Sequence, residues 1–233
     1  MIRLHVVVEG QTEEGFINEV LAPELGSSGV FINAHSITTG RRHGQVFRGG
    51  WDSYGKLSRD LSRWMKQDLN SDSWFSTMVN LYRLPNDFPG YDLCQGIPEP
   101  RKRVECLEEQ FARDMKEQFG DSVISQRFIP YIQLHEFEAL LFSDPDKFLD
   151  SFPDADAAIA QLHAIRARYG GSEDIDGGET TAPSKQILEV LPDFVKAVSG
   201  ILIAKRIGLA AFRRECPHFD GWVTKLLQPA RQA

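Results

Sequence analysis

A chain of 233 residues with 42% apolar and 25% charged residues has an ordinary globular composition, long enough for one large domain or for a core with an appended helical part. A net charge of −7 argues against a surface built for unaided nucleic-acid binding, although an acidic protein still holds a phosphate backbone through a bound metal and a local basic patch. No apolar run approaches the ~20 residues that span a bilayer, and the N-terminus lacks the charged region and cleavage site of a signal peptide, so no membrane attachment is expected.

The first predicted element is a strand over Ile2 to Val8, buried on both faces because it is almost wholly apolar. It runs into Glu9, Gly10 and a helix from Glu13 to Leu25, with Phe16, Ile17, Val20 and Leu21 on one face. Val30 to Ile37 alternates as a second strand. Next comes a basic, glycine-rich loop, Gly40 to Gly44 and Arg48 to Gly50, and then a helix from Tyr54 to Leu69. Trp74 to Leu81 is the third strand, followed by the loop Pro85 to Gly90. Pro100 opens a helix that stops at Gly120. Arg127 to Leu134 is the fourth strand, and His135 to Phe142 turns at once into a helix. Beyond Pro145 the pattern is helical only, with Gly170 to Ala182 a loop, Pro217-His218-Phe219 a helix stop and a frayed tail after Leu227. Alternation of strands and helices predicts an α/β fold with a parallel four-stranded sheet over residues 1–145, and residues 146–233 as a helical extension packed on it. Cys94, Cys106 and Cys216 are widely spaced, odd in number and without metal-ligand spacing, so a reducing, cytoplasmic setting is expected.

Ligands of open α/β proteins bind outside the carboxyl ends of the parallel strands, and that is where the carboxylates of this chain recur. Glu9 ends the first strand, and Glu13 returns to the same edge from the first turn of the helix. Asn80 ends the third strand, with Asp87 in its loop, and His135, Glu136 and Glu138 follow the fourth. Like charges repel and a desolvated carboxylate needs a partner, so this convergence points to a hard divalent cation, Mg²⁺ or Mn²⁺. Glu9, Asn80, Asp87, Glu136 and Glu138 are the candidate ligands, and Glu9, Glu13 and His135 the candidate catalytic groups. Structural readings compete at each position except Glu9 and Asn80. With Thr12 as the N-cap, Glu13 and Glu14 would offset a helix dipole. Asp87 between two prolines suits an Asx turn. Glu136 and Glu138 are also helix-start charges, and two positions apart on a helix they cannot face the same way. His135 would equally serve as a core histidine. Arg41, Arg42, His43 and Arg48, with Lys185 and Lys205 further on, are the candidate nucleic-acid contacts, against the alternative of a solvated loop and solvent-facing helices. No phosphate-binding glycine loop or Ser/His/Asp arrangement is in register.

Four segments occur together in this order: Val8-Glu9-Gly10-Gln11-Thr12-Glu13, Leu84 to Gly90, His135 to Phe142, and Cys216-Pro217-His218-Phe219. The set resembles the DUF4276 family, a bacterial group with a Toprim-like fold, from the first strand to Trp222. The resemblance implies a compact parallel sheet and metal-dependent nuclease chemistry like that of Toprim nucleases of the overcoming-lysogenization-defect type. Their strand-1 glutamate falls on Glu9. Their Asp-x-Asp falls on Asn80-Leu81-Tyr82, a departure, since neither position is acidic here. Asn80 offers a carbonyl oxygen without charge. The resemblance further implies an anti-phage defence role with an ABC-type ATPase as partner. The leading expectation is therefore a Mg²⁺- or Mn²⁺-dependent nuclease acting on DNA or RNA. The alternative is a catalytically degenerate module that binds the ATPase or nucleic acid. A homodimer is left open.

Overall fold

The computed structural model describes residues 1–42, 45–48, 51–120, 122, 125–175 and 181–232, with the backbone alone at 39–42, 45–48 and 232. β1 (Ile2–Val8) leads into a helical stretch made of α1 (Gln11–Phe16), a π turn over Ile17–Leu21 and α2 (Ala22–Gly26). Pro23 has no N–H to continue an α ladder, and just ahead of it Ala22 N–H closes the wider turn onto the Ile17 carbonyl. β2 (Val30–Ser36) follows. The basic region expected as a loop contains an antiparallel hairpin, β3 (Thr38–Arg42) with β4 (Gln45–Arg48). Its Gly- and Arg-rich strands lack the apolar alternation by which a strand is recognised. α3 (Tyr54–Gln67) and β5 (Ser73–Asn80) lie close to their expected limits.

A short helix the sequence did not suggest, α4 (Tyr91–Gln95), precedes α5 (Pro100–Phe119). Cys94 and Cys106, expected in a reducing setting, are joined in a disulfide that ties α4 to α5, and Cys216 is free and buried. The fourth strand comes as two pieces, β6 (Phe128–Ile129) and β7 (Ile132–Gln133), both parallel to β5. Pro130 has no N–H to give a ladder, and side chains of β5 bridge the break. Ser76 Oγ donates to the Ile129 carbonyl at 2.5 Å, while Thr77 Oγ1 accepts from Tyr131 N–H at 3.1 Å and donates to the Tyr131 carbonyl at 3.0 Å. The sheet thus runs β2-β1-β5-β6, all parallel, with β7 prolonging the fourth position.

The helix expected over His135 to Phe142 is instead a 3₁₀ stretch, Phe137–Ser143, every residue of which is buried, so it has no polar face of the kind an amphipathic α-helix presents. A second 3₁₀ stretch, Pro145–Asp150, leads to α6 (Asp156–Arg166) and α7 (Pro183–Val190). A π turn over Lys196–Gly200 runs into α8 (Ile201–Ile207), then α9 (Leu209–Glu215) and α10 (Pro217–Gln232). Pro217 starts α10 rather than stopping a helix, at a position where a missing N–H costs nothing, and the helix continues well past Leu227, where fraying was expected.

Two cores flank the sheet, as the alternation of β1 requires. Ile2, Leu4, Val6 and Val8 pack with Phe16, Val20 and Leu21 and with Ile201, Phe212, Phe219 and Trp222 from the C-terminal helices. On the other face Val7, Phe75 and Val79 pack with Leu57 and Leu61 of α3 and with Val104, Leu107 and Phe111 of α5. Both faces of the sheet are therefore dry, and its carboxyl edge is the place left for a polar site.

Candidate active site

At that edge a cavity of about 200 Å³ is lined by Glu9, Glu13, Asn80, Arg83, Glu136, Glu138 and Lys196, together with residues 10–12. β1 delivers Glu9 and β5 delivers Asn80, neighbours because their strands are paired. The helix begins at Gln11 with Gly10 as its N-cap, two residues earlier than a Thr12 cap would place it. Glu13 therefore turns back, and its Oε2 accepts the Gly10 N–H at 3.1 Å. The Asn80 amide holds the two carboxylates together: its Nδ2 donates to Glu9 Oε2 at 3.0 Å and to Glu13 Oε1 at 2.9 Å, and its backbone N–H donates to Glu9 Oε2 at 3.1 Å. The remaining atom of that amide, Oδ1, is buried without a partner among the described residues.

The second pair of acids comes from the segment after β7. Glu136 is extended (φ −135°, ψ 158°) and Glu138 lies in the 3₁₀ turn, so the helical argument against their facing one way does not apply. Both reach Lys196, whose Nζ is 3.1 Å from Glu138 Oε1 and 3.9 Å from Glu136 Oε1. Glu136 Oε2 also accepts the Ser184 N–H in the first turn of α7 at 3.2 Å.

Burial dominates the electrostatics. It raises the pKa of Glu9 against the opposing hydrogen bonds from Asn80 and the charge of Arg83. It raises Glu13 as well, and there the charge of Glu9 adds to it. Glu138 is pushed up to about 7 by burial, with Glu136 adding and Lys196 opposing. Glu9, Glu13 and Glu138 thus hold protons more tightly than ordinary carboxylates do, as expected of desolvated acids.

The structure brings Glu9, Glu13, Asn80, Glu136 and Glu138 into one cavity, and leaves other candidates apart from it. Asp87 is exposed, and its Oδ1 accepts the Tyr54 N–H at 2.8 Å, at the start of α3. His135 is buried beside a neighbouring cavity, in a left-handed conformation (φ +60°). Lys205 pairs with Glu19 at 3.0 Å, away from the pocket, and Lys185 is exposed on α7. Arg41, Arg42 and Arg48 lie on the hairpin that follows β2, their side chains outside the described part of the molecule, and His43 lies outside the described residues. Arg83 and Lys196 were not singled out by the sequence. Arg83 sits one turn past a strand end and Lys196 in a C-terminal π turn, positions that no spacing connects to Glu9.

Among the described residues no three His, Cys, Asp or Glu side chains are gathered as a ready metal cluster. The oxygen donors nearest to forming one are Glu9, Glu13 and the unpartnered Asn80 Oδ1.

In comparisons with known proteins, the profile of a domain of unknown function, DUF4276, matches residues 8–227. No curated protein matches the chain. Among solved structures, the chain is similar to the C-terminal region of the OLD protein of Xanthomonas campestris pv. campestris, with 14% identity and a TM-score of 0.35 over 96% of this chain and 97% of that one.

Proposed function

The chain belongs to the DUF4276 family, and from that premise we propose that it is a metal-dependent nuclease, hydrolysing nucleic-acid phosphodiesters as an anti-phage effector with an ABC-type ATPase as partner. The observation that supports this reading best is the gathering of Glu9, Glu13, Glu136 and Glu138 in one cavity with Arg83 and Lys196 at the carboxyl edge of the sheet. Stability alone gives no reason to crowd buried acids there.

The donor set suits Mg²⁺ or Mn²⁺. A half-turn of the Asn80 amide exchanges its nitrogen for its unpartnered oxygen, so that Glu9, Glu13 and Asn80 present oxygens to a common point. When bound there, the cation supplies Lewis-acid polarisation of the phosphate and a more acidic water. The chain's own groups do the rest. Arg83 and Lys196 offset the phosphate charge. Glu138, with its pKa near neutrality, is suited to accept or return a proton. Asp87 and His135 have no part in this arrangement.

The test is cleavage of plasmid, single-stranded DNA and tRNA with Mg²⁺ or Mn²⁺, by wild type and Glu9→Gln. Metal-dependent cleavage lost in the variant, with the fold intact, is the expected result; undiminished cleavage by the variant would refute the assignment. A second reading is favoured by one observation, the Asn80 NH₂ standing between Glu9 and Glu13 where a cation would stand. On that reading the site no longer takes metal and the chain works by binding. Calorimetric titration with Mn²⁺ decides: a site present in wild type and absent in Glu9→Gln excludes the binding-only reading.

A further inference from the structure

A second cavity, of about 340 Å³, lies next to the acidic one, in the size range of small-ligand sites. Consecutive residues of two segments line one cavity and the other. The 3₁₀ turn Leu81–Arg83 directs Arg83 to the acidic cavity and Leu81 and Tyr82 to the second. The segment after β7 does the same, with Glu136 in one cavity and His135 in the other, and Tyr82 N–H donates to the His135 carbonyl at 3.3 Å. His135 holds a positive φ, a conformation that bulky residues adopt at a cost and that clusters at ligand sites.

The remaining lining has a consistent chemistry. Two aromatic rings, Tyr82 and Tyr91, stand with Leu84 and Ile97 around one cation, Arg103. Tyr82 is 43% exposed, so it is open to a ligand. In the first turn of α5, Arg101 pairs with Glu173 and Lys102 with Glu99, while Arg103 Nε is buried with no hydrogen-bond acceptor among the described residues. An uncompensated guanidinium N–H beside exposed rings is costly unless a ligand supplies the acceptor. The disulfide fixes this geometry. Cys94 stands one helical turn beyond Tyr91, and Cys106 one turn beyond Arg103, so the bond clamps the two walls together.

We propose that this cavity is a subsite for one unpaired nucleotide of a single-stranded nucleic acid, its base against Tyr82 and Tyr91 and its phosphate or base edge on Arg103, one step along the strand from the phosphate in the acidic cavity. It rests on the nuclease reading above and narrows its substrate to unpaired strands. A base inside a duplex offers no free face to a ring on a cavity wall, whereas an unstacked base does. The chemistry recognised is a planar ring carrying an anion, which a free nucleotide shares with a polymer.

The experiment is fluorescence-anisotropy binding of labelled oligo(dT), oligo(U) and a DNA duplex to the full chain in EDTA, so that binding is read without cleavage. AMP and UMP serve as competitors. The variants are Tyr82→Ala and Arg103→Gln, with thermal melting as the folding control. The expected result is single-strand binding about tenfold weaker in each variant, with duplex binding and melting unchanged. Competition by AMP or UMP at concentrations comparable to oligonucleotide would assign the subsite to free nucleotides rather than to a strand, and so overturn the polymer part of the proposal. Wild-type affinity in both variants would overturn it whole, as would the absence of any single-strand binding. Metal-dependent cleavage separates the two readings: cleavage with unaffected variants keeps the nuclease and removes the subsite, and variant-sensitive binding without cleavage does the reverse.

Discussion

Asn80 is the residue on which the site turns. Among the described residues its one amide group is the side-chain link that bonds to both Glu9 and Glu13, two carboxylates that burial and mutual charge already disfavour. Asn80→Asp removes both donated bonds and adds a third negative charge. Without metal this variant is expected to lose roughly 3 kcal/mol, a fall in melting temperature of roughly 6–12 °C for a chain of this size. Mn²⁺ is expected to restore it. Scanning calorimetry with and without Mn²⁺ provides the check, and an unchanged melting temperature would mean that the amide is not what holds the acids together. At this scale the sequence was informative where chemistry sits at strand ends. Glu9 and Asn80 are adjacent because β1 and β5 are, and the parallel sheet is readable from the alternation of strands and helices, although the strand order is not. Lys196 was not readable, because a lysine in a C-terminal turn looks like any of the 26 basic residues until the fold places it against Glu138.

Several helices of this protein are capped by acids from distant parts of the chain. Asp87 accepts from the first residue of α3, Glu136 from the second residue of α7, and neither helix has a side-chain cap of its own. The strongest instance is α10, where Glu173 accepts the N–H groups of His218 and Phe219 at 2.8 and 2.9 Å. Glu173 is almost wholly buried, and its charge opposes the otherwise unmet amides of a helix start. Glu173→Ala leaves those amides without an acceptor beside a helix that carries Phe219, Trp222 and Leu226 into the core. A loss of about 2–4 kcal/mol is expected, read as a lower urea midpoint at unchanged slope, with Glu173→Gln losing less. A cap supplied from 45 residues away has no local signature, so Pro217 reads as a stop in the sequence. The same holds for the divided fourth strand, whose continuity depends on Ser76 and Thr77 of a different strand. The strands buried on both faces, β1 and β5, needed no such partner and were read almost to the residue.

At the scale of the molecule, the N-terminal sheet and the C-terminal helices share one core, so the charge state of a few buried groups is felt by the whole fold. His218 is such a group. Burial would lower its pKa, but the hydrogen bond and charge of Glu108 and the charge of Glu173 outweigh that and leave it raised. A raised folded pKa makes this contribution to stability complete below the unfolded value, near 6.5, and lost as pH rises through the folded value. The stability of wild type relative to His218→Gln is therefore expected to shrink as pH rises above about 6.5, measured by urea unfolding across pH; a constant difference would show that the imidazole charge is not involved. The same pair of side chains also occupies the outer rim of the sheet. Glu108 Oε1 accepts the Ile132 N–H at 2.8 Å, and His218 Nε2 lies 3.2 Å from the Ile132 carbonyl, so the two stand in for the neighbouring strand that β7 lacks. An unfilled rim is an invitation to another chain, and sheets left open there grow from molecule to molecule. Emptying it with Glu108→Ala and His218→Ala together should make copies of the protein stack on one another, visible as light scattering that climbs with concentration more steeply than for wild type.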